Sequence, residues 1–342
     1  MIKKRLVKKS NLLLTTLGFG SATLGNLYRE TTDAESLSTA NLAYDKGINY
    51  FDTAPYYGFG LSERRLGNSL RGKDFIISTK VGRLLKPIVG YNKGIIERHG
   101  FMSPMPFEPI YDYSYDAIMK SWEESIQRLG LDKIDILYIH DIGKLTHADK
   151  ADYYFEQLTK GRGFAALEEL RQQKLISAFG IGVNEWEIAA DVVKHADIDL
   201  ILLAGRYSLL EQESLKEFFP LCVANNVSVV VGGPYNSGIL AVGTKSNGVL
   251  YYNYQPAPEH IVKKVKLIEA LCEKYNVTLG AAALQFPLAN ETVVSVIPGM
   301  RSEKQVLQSF NFMQEKIPLE FWQQLKEHSL LNEDAPIPNI EG

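Results

Sequence analysis

The sequence predicts an α/β fold: a (β/α)8 barrel of the TIM type, with long loops after its third and seventh strands. Three observations predict it. Short runs of Val, Ile and Leu alternate with longer amphipathic segments along the whole chain. The alternation repeats eight times, which favours a closed barrel over an open doubly wound sheet. Several of the short runs also end on a polar or ionisable residue, where barrels of this kind assemble chemistry.

The strands are expected at Leu12–Gly18, Ile48–Asp52, Phe75–Thr79, Ile134–His140, Ala178–Val183, Leu200–Ala204, Val227–Val231 and Val293–Ile297. Each is short, rich in β-branched residues or Leu, and bounded by Gly, Asn, Asp or Pro, as parallel strands buried on both faces should be. Apolar spacing of three and four places helices at Asp33–Lys46, capped by Asp33, then Glu63–Leu70, Tyr115–Leu129, Phe164–Gln173, Glu185–His195, Glu213–Asn225, Glu259–Tyr275, Leu279–Ala289 and Glu303–Met313. Two insertions, Gly82–Ser114 and Leu240–Pro258, follow the third and seventh strands and so belong to the face that carries active sites, as binding loops.

Length and composition set the outer bounds. At roughly 150 residues per domain, 342 residues suggest two domains, but α/β barrels reach this length as one. With no Pro/Ser-rich linker or low-complexity tract, a single domain over 1–342 is expected. Hydrophobic residues at 45% and charged residues at 23% exclude disorder and coiled coil. A net charge of −3 gives no electrostatic case for nucleic acid or an anionic membrane. No apolar stretch approaches a membrane span, and the basic start Met1–Ser10 reads as a solvated end. Cys222 and Cys272 lie far apart without metal-ligand spacing, which fits a reducing, cytoplasmic setting and a monomer or homodimer with no metal.

Asp52 ends the second strand, Lys80 the third and His140 the fourth, while Asn184 lies just past the fifth. Core packing has no use for four such residues at one end of a barrel. With only 6 His and none in paired spacing, a multi-histidine metal site is disfavoured. A serine nucleophile elbow and a pair of glycosidase carboxylates are also missing. What remains is Tyr57, on the loop after Asp52, within reach of a lysine and a histidine. A buried cation beside a phenol lowers its pKa, and Asp52 keeps that lysine charged. Such a phenol can exchange a proton as an alcohol and a carbonyl interconvert. Tyr56, Phe59, Trp122 and Trp186 read as core or helix-face residues, and Glu63, Arg64 and Arg65 as helix-surface ion pairs.

The chain resembles the aldo-keto reductase superfamily over almost its whole length. The pieces that carry the resemblance are Leu17-Gly18-Phe19-Gly20, the block from Gly47 to Gly58, Ser62-Glu63-Arg64-Arg65-Leu66-Gly67, Thr79-Lys80, Asp135–His140, Gly180–Asn184 and Ile297-Pro298-Gly299. The segment Gly18–Tyr28 looks like the group that holds L-fucose, D-threo-aldose and L-galactose dehydrogenases and a pyridoxal 4-dehydrogenase. The resemblance implies a nicotinamide dinucleotide across the barrel mouth, with NAD preferred and NADP as the alternative. It makes Tyr57 the general acid/base, Lys80 its modulator, Asp52 the lysine's partner and His140 the group that orients the substrate oxygen. It implies a small sugar or aldehyde as substrate, oxidised at C1 to a lactone. The alternatives are an NADPH-dependent carbonyl reductase, a pyridoxal 4-dehydrogenase, or a redox-sensing subunit that binds the cofactor without turnover.

The implied cofactor contacts are Gly20, Ala22, Asp52, Asn184 at the carboxamide, Gly233, Pro234, Tyr235, Ser237, Gly238 and Leu240 at the pyrophosphate, and Gly299, Arg301, Gln305 and Ser309 at the adenosine. Arg206 reads equally as a phosphate or substrate contact and as an ion pair that holds a loop. Two departures stand out. Gly232 stands where many members place an aromatic that stacks on the nicotinamide, with Tyr207 or Tyr235 the nearest substitutes. Gly299 and Gln305 stand where NADPH-selective members carry cations, and this argues for NAD.

Overall fold

The architecture is taken from a computed structural model that describes residues 2–338 apart from Lys93, Ile95 and Asn247. Lys93, Ile95 and Asn247 fall in the two predicted insertions, and Met1 in the basic start. Eight parallel strands form one sheet: β1 (Phe19–Gly20), β2 (Tyr50–Asp52), β3 (Ile76–Val81), β4 (Ile136–His140), β5 (Ala178–Val183), β6 (Leu200–Ala204), β7 (Ser228–Gly232) and β8 (Val293–Ile297). They follow one another in chain order around the sheet, and β8 returns to the first strand through bridges Leu17–Val296 and Gly20–Gly299. The Gly18 amide donates to Val296 O at 2.9 Å and the Gly20 amide to Pro298 O at 3.0 Å. The barrel is thus closed, as the eightfold alternation requires.

β4, β5, β7 and β8 are buried at every residue, which explains why they read as continuous apolar runs. The helices that cover the barrel include α1 (Asp33–Asp45), α2 (Leu61–Leu70), α3 (Tyr115–Leu129), α4 (Gly163–Gln172), α5 (Trp186–His195), α6 (Phe218–Ala224), α7 (Glu259–Tyr275), α8 (Leu279–Gln285) and α9 (Glu303–Phe312). Among the described residues no helix is long and apolar enough to cross a membrane.

Several expectations are corrected. The segment expected as the first strand, Leu12–Gly18, divides: Leu13–Thr15 pairs antiparallel with Lys4–Leu6, and the barrel strand begins at Phe19. The basic start is therefore only partly solvated: Lys3, Lys4 and Lys8 are exposed, while Ile2 and Val7 are buried. Val7 and Leu14 pack into the bottom of the barrel with Tyr50, Tyr138 and Leu200. Arg5 donates to Leu288 O at 2.7 Å and Val293 O at 2.5 Å, so this cation serves backbone carbonyls. The cap of α1 is Thr32, not Asp33; its hydroxyl and Glu35 form a reciprocal capping box. Two predicted helices are shorter because proline intervenes. Glu213–Asn225 becomes a 3₁₀ turn, Glu213–Leu215, followed by α6 with Pro220 in its first turn. Leu279–Ala289 becomes α8 and then a 3₁₀ turn that contains Pro287.

Both insertions carry structure. After β3, Arg83–Pro87 pairs antiparallel with Phe107–Tyr111. After β7, Tyr251–Tyr252 pairs with Gln255–Pro256 in a short hairpin.

Candidate active site

The four sequence-predicted residues Asp52, Tyr57, Lys80 and His140 converge at the C-terminal end of the sheet. Asp52 closes β2 with its carboxylate turned onto β3, accepting from Lys80 Nζ at 2.7 Å and from Ser78 Oγ at 2.7 Å. Lys80 also donates to Thr53 O at 2.8 Å, and the two charged side chains are 2% and 3% exposed. Tyr57 sits on the loop that follows. Its backbone is pressed against Gly25 so tightly that a Cβ on Gly58, whose φ is +64°, would lie 2.3 Å from Gly25 O. Lys80 Nζ lies 4.7 Å from the centroid of the Tyr57 ring, and the His140 ring stands edge-on to the same ring at 6.0 Å.

The electrostatics differ from the expectation in one respect. The Tyr57 hydroxyl is pushed well above the ordinary phenol value, not below it, first by burial and then by the negative charge of Asp52. Lys80 is committed to Asp52 and Thr53 and meets Tyr57 over the ring rather than at the hydroxyl. Burial also raises Asp52, with Lys80 and Ser78 pulling the other way. His140 is held well below the usual imidazole range by burial, then by Arg83 and Lys80, so it stays neutral. Its Nε2 lies 3.5 Å from Asp141 Oδ2, while its Nδ1 is buried and has no partner among the described residues.

Tyr57, Lys80, His140, Asn184 and Ala22 line a single cavity of about 540 Å³. Gly20 and Gly299 meet at the barrel seam beside it. Residues Gly233–Leu240 form a compact turn, with left-handed Gly233, Asn236, Ser237 and Gly238. The amides of Gly238 and Leu240 bond back to Tyr235 O. Ser309, on α9, lies close to the Tyr235 hydroxyl, so this turn and α9 are neighbours. Arg301 donates to Leu27 O, and the Gln305 side chain accepts from the Arg301 amide at 2.7 Å. Arg206 donates to Asn184 O at 2.7 Å and to Asn253 Oδ1 at 2.8 Å, which ties the loop after β5 to the hairpin after β7.

Other residues fall elsewhere than expected. Tyr207 is fully buried against Phe219 and Phe286, and Tyr254, from the hairpin after β7, is the aromatic that lines the cavity beside Asn184. Tyr56 lines the cavity too, rather than the core. Glu63 is no surface residue: it is unexposed, accepting from Thr79 Oγ1 at 2.7 Å and Arg128 Nε at 2.5 Å. Arg65 forms the expected surface ion pair, with Asp33 at 2.7 Å, and also reaches Leu24 O, Asn26 and Thr31 O, each at 2.7 Å. Sequence reasoning passed over Arg83 and Asp141. Both lie just past strand ends, Arg83 two residues beyond β3 and Asp141 next to His140, and this position was the available signal.

A sequence profile of the aldo/keto reductase family matches residues 16–330. The chain belongs to the aldo/keto reductase family. It is 42% identical over 341 residues to pyridoxal 4-dehydrogenase of Microbacterium luteolum, an alignment that covers 96% of this chain and 98% of the relative. It is 38% identical to D-threo-aldose 1-dehydrogenase of a Pseudomonas species, covering 94% of this chain and 96% of the other. An aldo-keto reductase from Bacillus halodurans in its holo form superposes with a TM-score of 0.75 at 27% identity, covering 99% of each chain. A glycerol dehydrogenase from Gluconobacter oxydans shares the fold, with a TM-score of 0.72 at 22% identity over 99% of this chain and 98% of that one. This aldo/keto reductase is accordingly an oxidoreductase for small molecules, in a family that uses nicotinamide cofactors.

Proposed function

We propose that this aldo/keto reductase oxidises the cyclic hemiacetal of an aldose at C1 to the lactone, with NAD preferred as acceptor. The observation that carries the reading is the meeting of Tyr57, Lys80 and His140 with Asn184 at one cavity. The residues fit a dinucleotide across the mouth. Asn184 offers a carboxamide partner, Ala22 lines the cavity, and no neighbouring atom lies within 4 Å of where a Gly238 side chain would start. The N-terminus of α9, capped by Ser302, faces the adenosine side. Gly20, Gly233, Pro234, Tyr235, Ser237, Leu240, Gly299, Arg301, Gln305 and Ser309 complete the proposed contact set. Gly299 and Gln305 bring no cation to a 2′-phosphate, and Arg301 is already engaged with Leu27 O. These features favour NAD over NADP.

When bound, the nicotinamide accepts two electrons as hydride from the substrate carbon. The chain supplies the rest. Tyr57 takes the anomeric hydroxyl proton in oxidation and returns it in reduction. His140, neutral, offers a fixed hydrogen bond to the same oxygen. Asp52 holds Lys80 against the Tyr57 ring, while burial of these groups excludes water. A phenol raised above its ordinary value holds its proton at neutral pH, so oxidation accelerates as pH rises.

A second reading, oxidation of pyridoxal, is favoured by the 42% identity to the Microbacterium luteolum enzyme and by Tyr28, Tyr56, Phe101 and Tyr254 around the cavity. Both substrates have a hydroxyl that closes on the aldehyde, so the reacting group is the same. The test is reduction of NAD and NADP, followed by absorbance, with L-fucose, L-galactose, D-arabinose, pyridoxal and simple alcohols. Oxidation of at least one aldose, with higher kcat/KM for NAD, is expected. Turnover of pyridoxal alone selects the second reading. Equal or better efficiency with NADP removes the cofactor preference.

A further inference from the structure

Beside the predicted tetrad the cavity wall contains an ion pair that the proposed proton transfer does not use, with Arg83 buried and Asp141 half-buried. Arg83 is 4% exposed, and its Nη2 donates to Asp141 Oδ2 at 2.5 Å. The guanidinium carbon lies 4.3 Å from the Tyr56 ring centroid and 5.4 Å from that of Tyr111, so stacking fixes its plane. Burial works against the charge of Arg83 and Asp141 more than restores it. Gly82, with φ at +94°, turns the chain between Lys80 and Arg83; a Cβ there would strike the Tyr113 ring at 2.1 Å. Tyr113 in turn donates to His140 O at 2.8 Å, which fixes the end of β4 opposite.

Two features set this pair apart from a structural salt bridge. A buried ion pair adds little net stability over apolar residues, so packing alone does not require one here. The pair is also incompletely used: among the described residues Arg83 Nε is buried with no acceptor, while the contact to Asp141 runs from Nη2 to Oδ2. Asp141 Oδ2 lies 3.5 Å from His140 Nε2, and Arg83 and Asp141 line the same cavity as His140 and Tyr57. Donor and acceptor therefore stand beside the histidine proposed to orient the reacting oxygen, and together they carry no net charge. An anion finds no unopposed cation there. A hydroxyl, which both donates and accepts, fits.

We propose that Arg83 and Asp141 form a specificity clamp that reads an oxygen substituent next to the reacting group, the 2-hydroxyl of an aldose or the ring hydroxyl of pyridoxal. The clamp rests on the proposed oxidation of a cyclic hemiacetal and narrows its substrate class. Substrates that lack this oxygen leave a buried guanidinium donor and a carboxylate unmatched, the situation in which polar sites reject analogues most strongly.

The experiment compares matched pairs: D-arabinose with 2-deoxy-D-ribose, and pyridoxal with its analogue lacking the ring hydroxyl. Values of kcat/KM are measured for the native enzyme and for Arg83→Lys, Arg83→Met and Asp141→Asn. The same compounds are titrated calorimetrically into NAD-loaded Tyr57→Phe protein, with and without Arg83→Met, which reads binding without turnover. At least one pair should be discriminated about tenfold to a hundredfold by the native enzyme, the range for one hydrogen bond to a charged group. Discrimination should fall below about threefold in Arg83→Met and Asp141→Asn and be partly kept in Arg83→Lys, whose ammonium still donates. A native preference below about threefold for both pairs, or one that survives both Arg83→Met and Asp141→Asn, overturns the clamp. Failure to turn over any compound, with discrimination kept in the titrations, overturns the proposed reaction and leaves the clamp standing. No binding of any of the four compounds overturns both.

Discussion

Lys80→Met isolates the buried pair at the centre of the site. The native ammonium bonds Asp52 at 2.7 Å and Thr53 O at 2.8 Å, and Met fills nearly the same volume, so the loss is electrostatic. Ser78 Oγ, at 2.7 Å, is then the remaining donor to a carboxylate that is 3% exposed. Breaking a buried pair from one side costs about 3–5 kcal/mol. A chain of 342 residues has an unfolding entropy of about 0.7 kcal/mol per kelvin, so the melting temperature falls by about 4–7 °C. The deficit depends on pH. Burial already raises Asp52, and loss of the opposing ammonium raises it further. A carboxyl raised in the folded state stabilises fully below its unfolded pKa and loses that contribution as pH rises through the folded value. The gap between variant and native protein should therefore be small near about pH 5 and widen toward about pH 8. Urea unfolding followed by circular dichroism at both pH values measures it. A gap below about 1 kcal/mol at about pH 8, or one that does not widen, refutes the reasoning. Lys80→Met combined with Asp52→Asn should recover at least about half of the loss, because no buried charge is left alone.

Tyr57→Phe should lower kcat at least about 10²-fold, the low end for losing a general acid/base, with cofactor affinity measured by fluorescence titration changed less than about twofold. Near-native turnover would remove Tyr57 from the chemistry. The pH profile of oxidation should climb from about pH 6 to about pH 9 with no break near the ordinary imidazole value, because burial and two cations keep His140 neutral. An acid limb near about pH 6.5 that disappears in His140→Gln contradicts this. Arg128→Met should cost about 3–5 kcal/mol in urea unfolding, since it strips a cation from the unexposed Glu63; a loss within about 0.5 kcal/mol would mean that Thr79 suffices.

What could be read from the sequence was what is local or repeats. β5, β6 and β8 were read to the residue because continuous burial leaves a continuous apolar run, and the ends of β2 and β4 because Asp52 and His140 interrupt one. Strand ends in a parallel barrel must gather at one mouth, so the meeting of Asp52, Lys80 and His140 followed from topology alone. The first strand was misplaced because Leu12–Gly18 serves two structures, an antiparallel ribbon under the barrel and the lead into β1, and both need apolar residues. Arg5 looked solvated because its acceptors are backbone carbonyls more than 280 residues away, which no side-chain pattern encodes.

The sign of the Tyr57 shift shows why charge pairing is more legible than its consequence. The sequence placed an ammonium near a phenol, and this was correct; but the effect depends on where the ammonium points and how much water is left. Lys80 donates to Asp52 and Thr53 and presents only proximity to the ring face. A carboxylate that neutralises the cation also repels a tyrosinate, so Asp52 opposes the ionisation that Lys80 alone would favour. Burial then penalises the anion whatever its neighbours. The same competition governs Arg83, where burial weakens the charge and Asp141 restores it. In each case the residue types were visible in the chain, while the outcome was set by hydrogen-bond direction and desolvation, which belong to the folded geometry. Asp52 therefore has two effects: it fixes Lys80 beside the Tyr57 ring and it raises the Tyr57 hydroxyl. Asp52→Asn should move the alkaline limb of oxidation to lower pH while weakening the hold on Lys80, and a limb that stays in place would assign the raised phenol to burial alone.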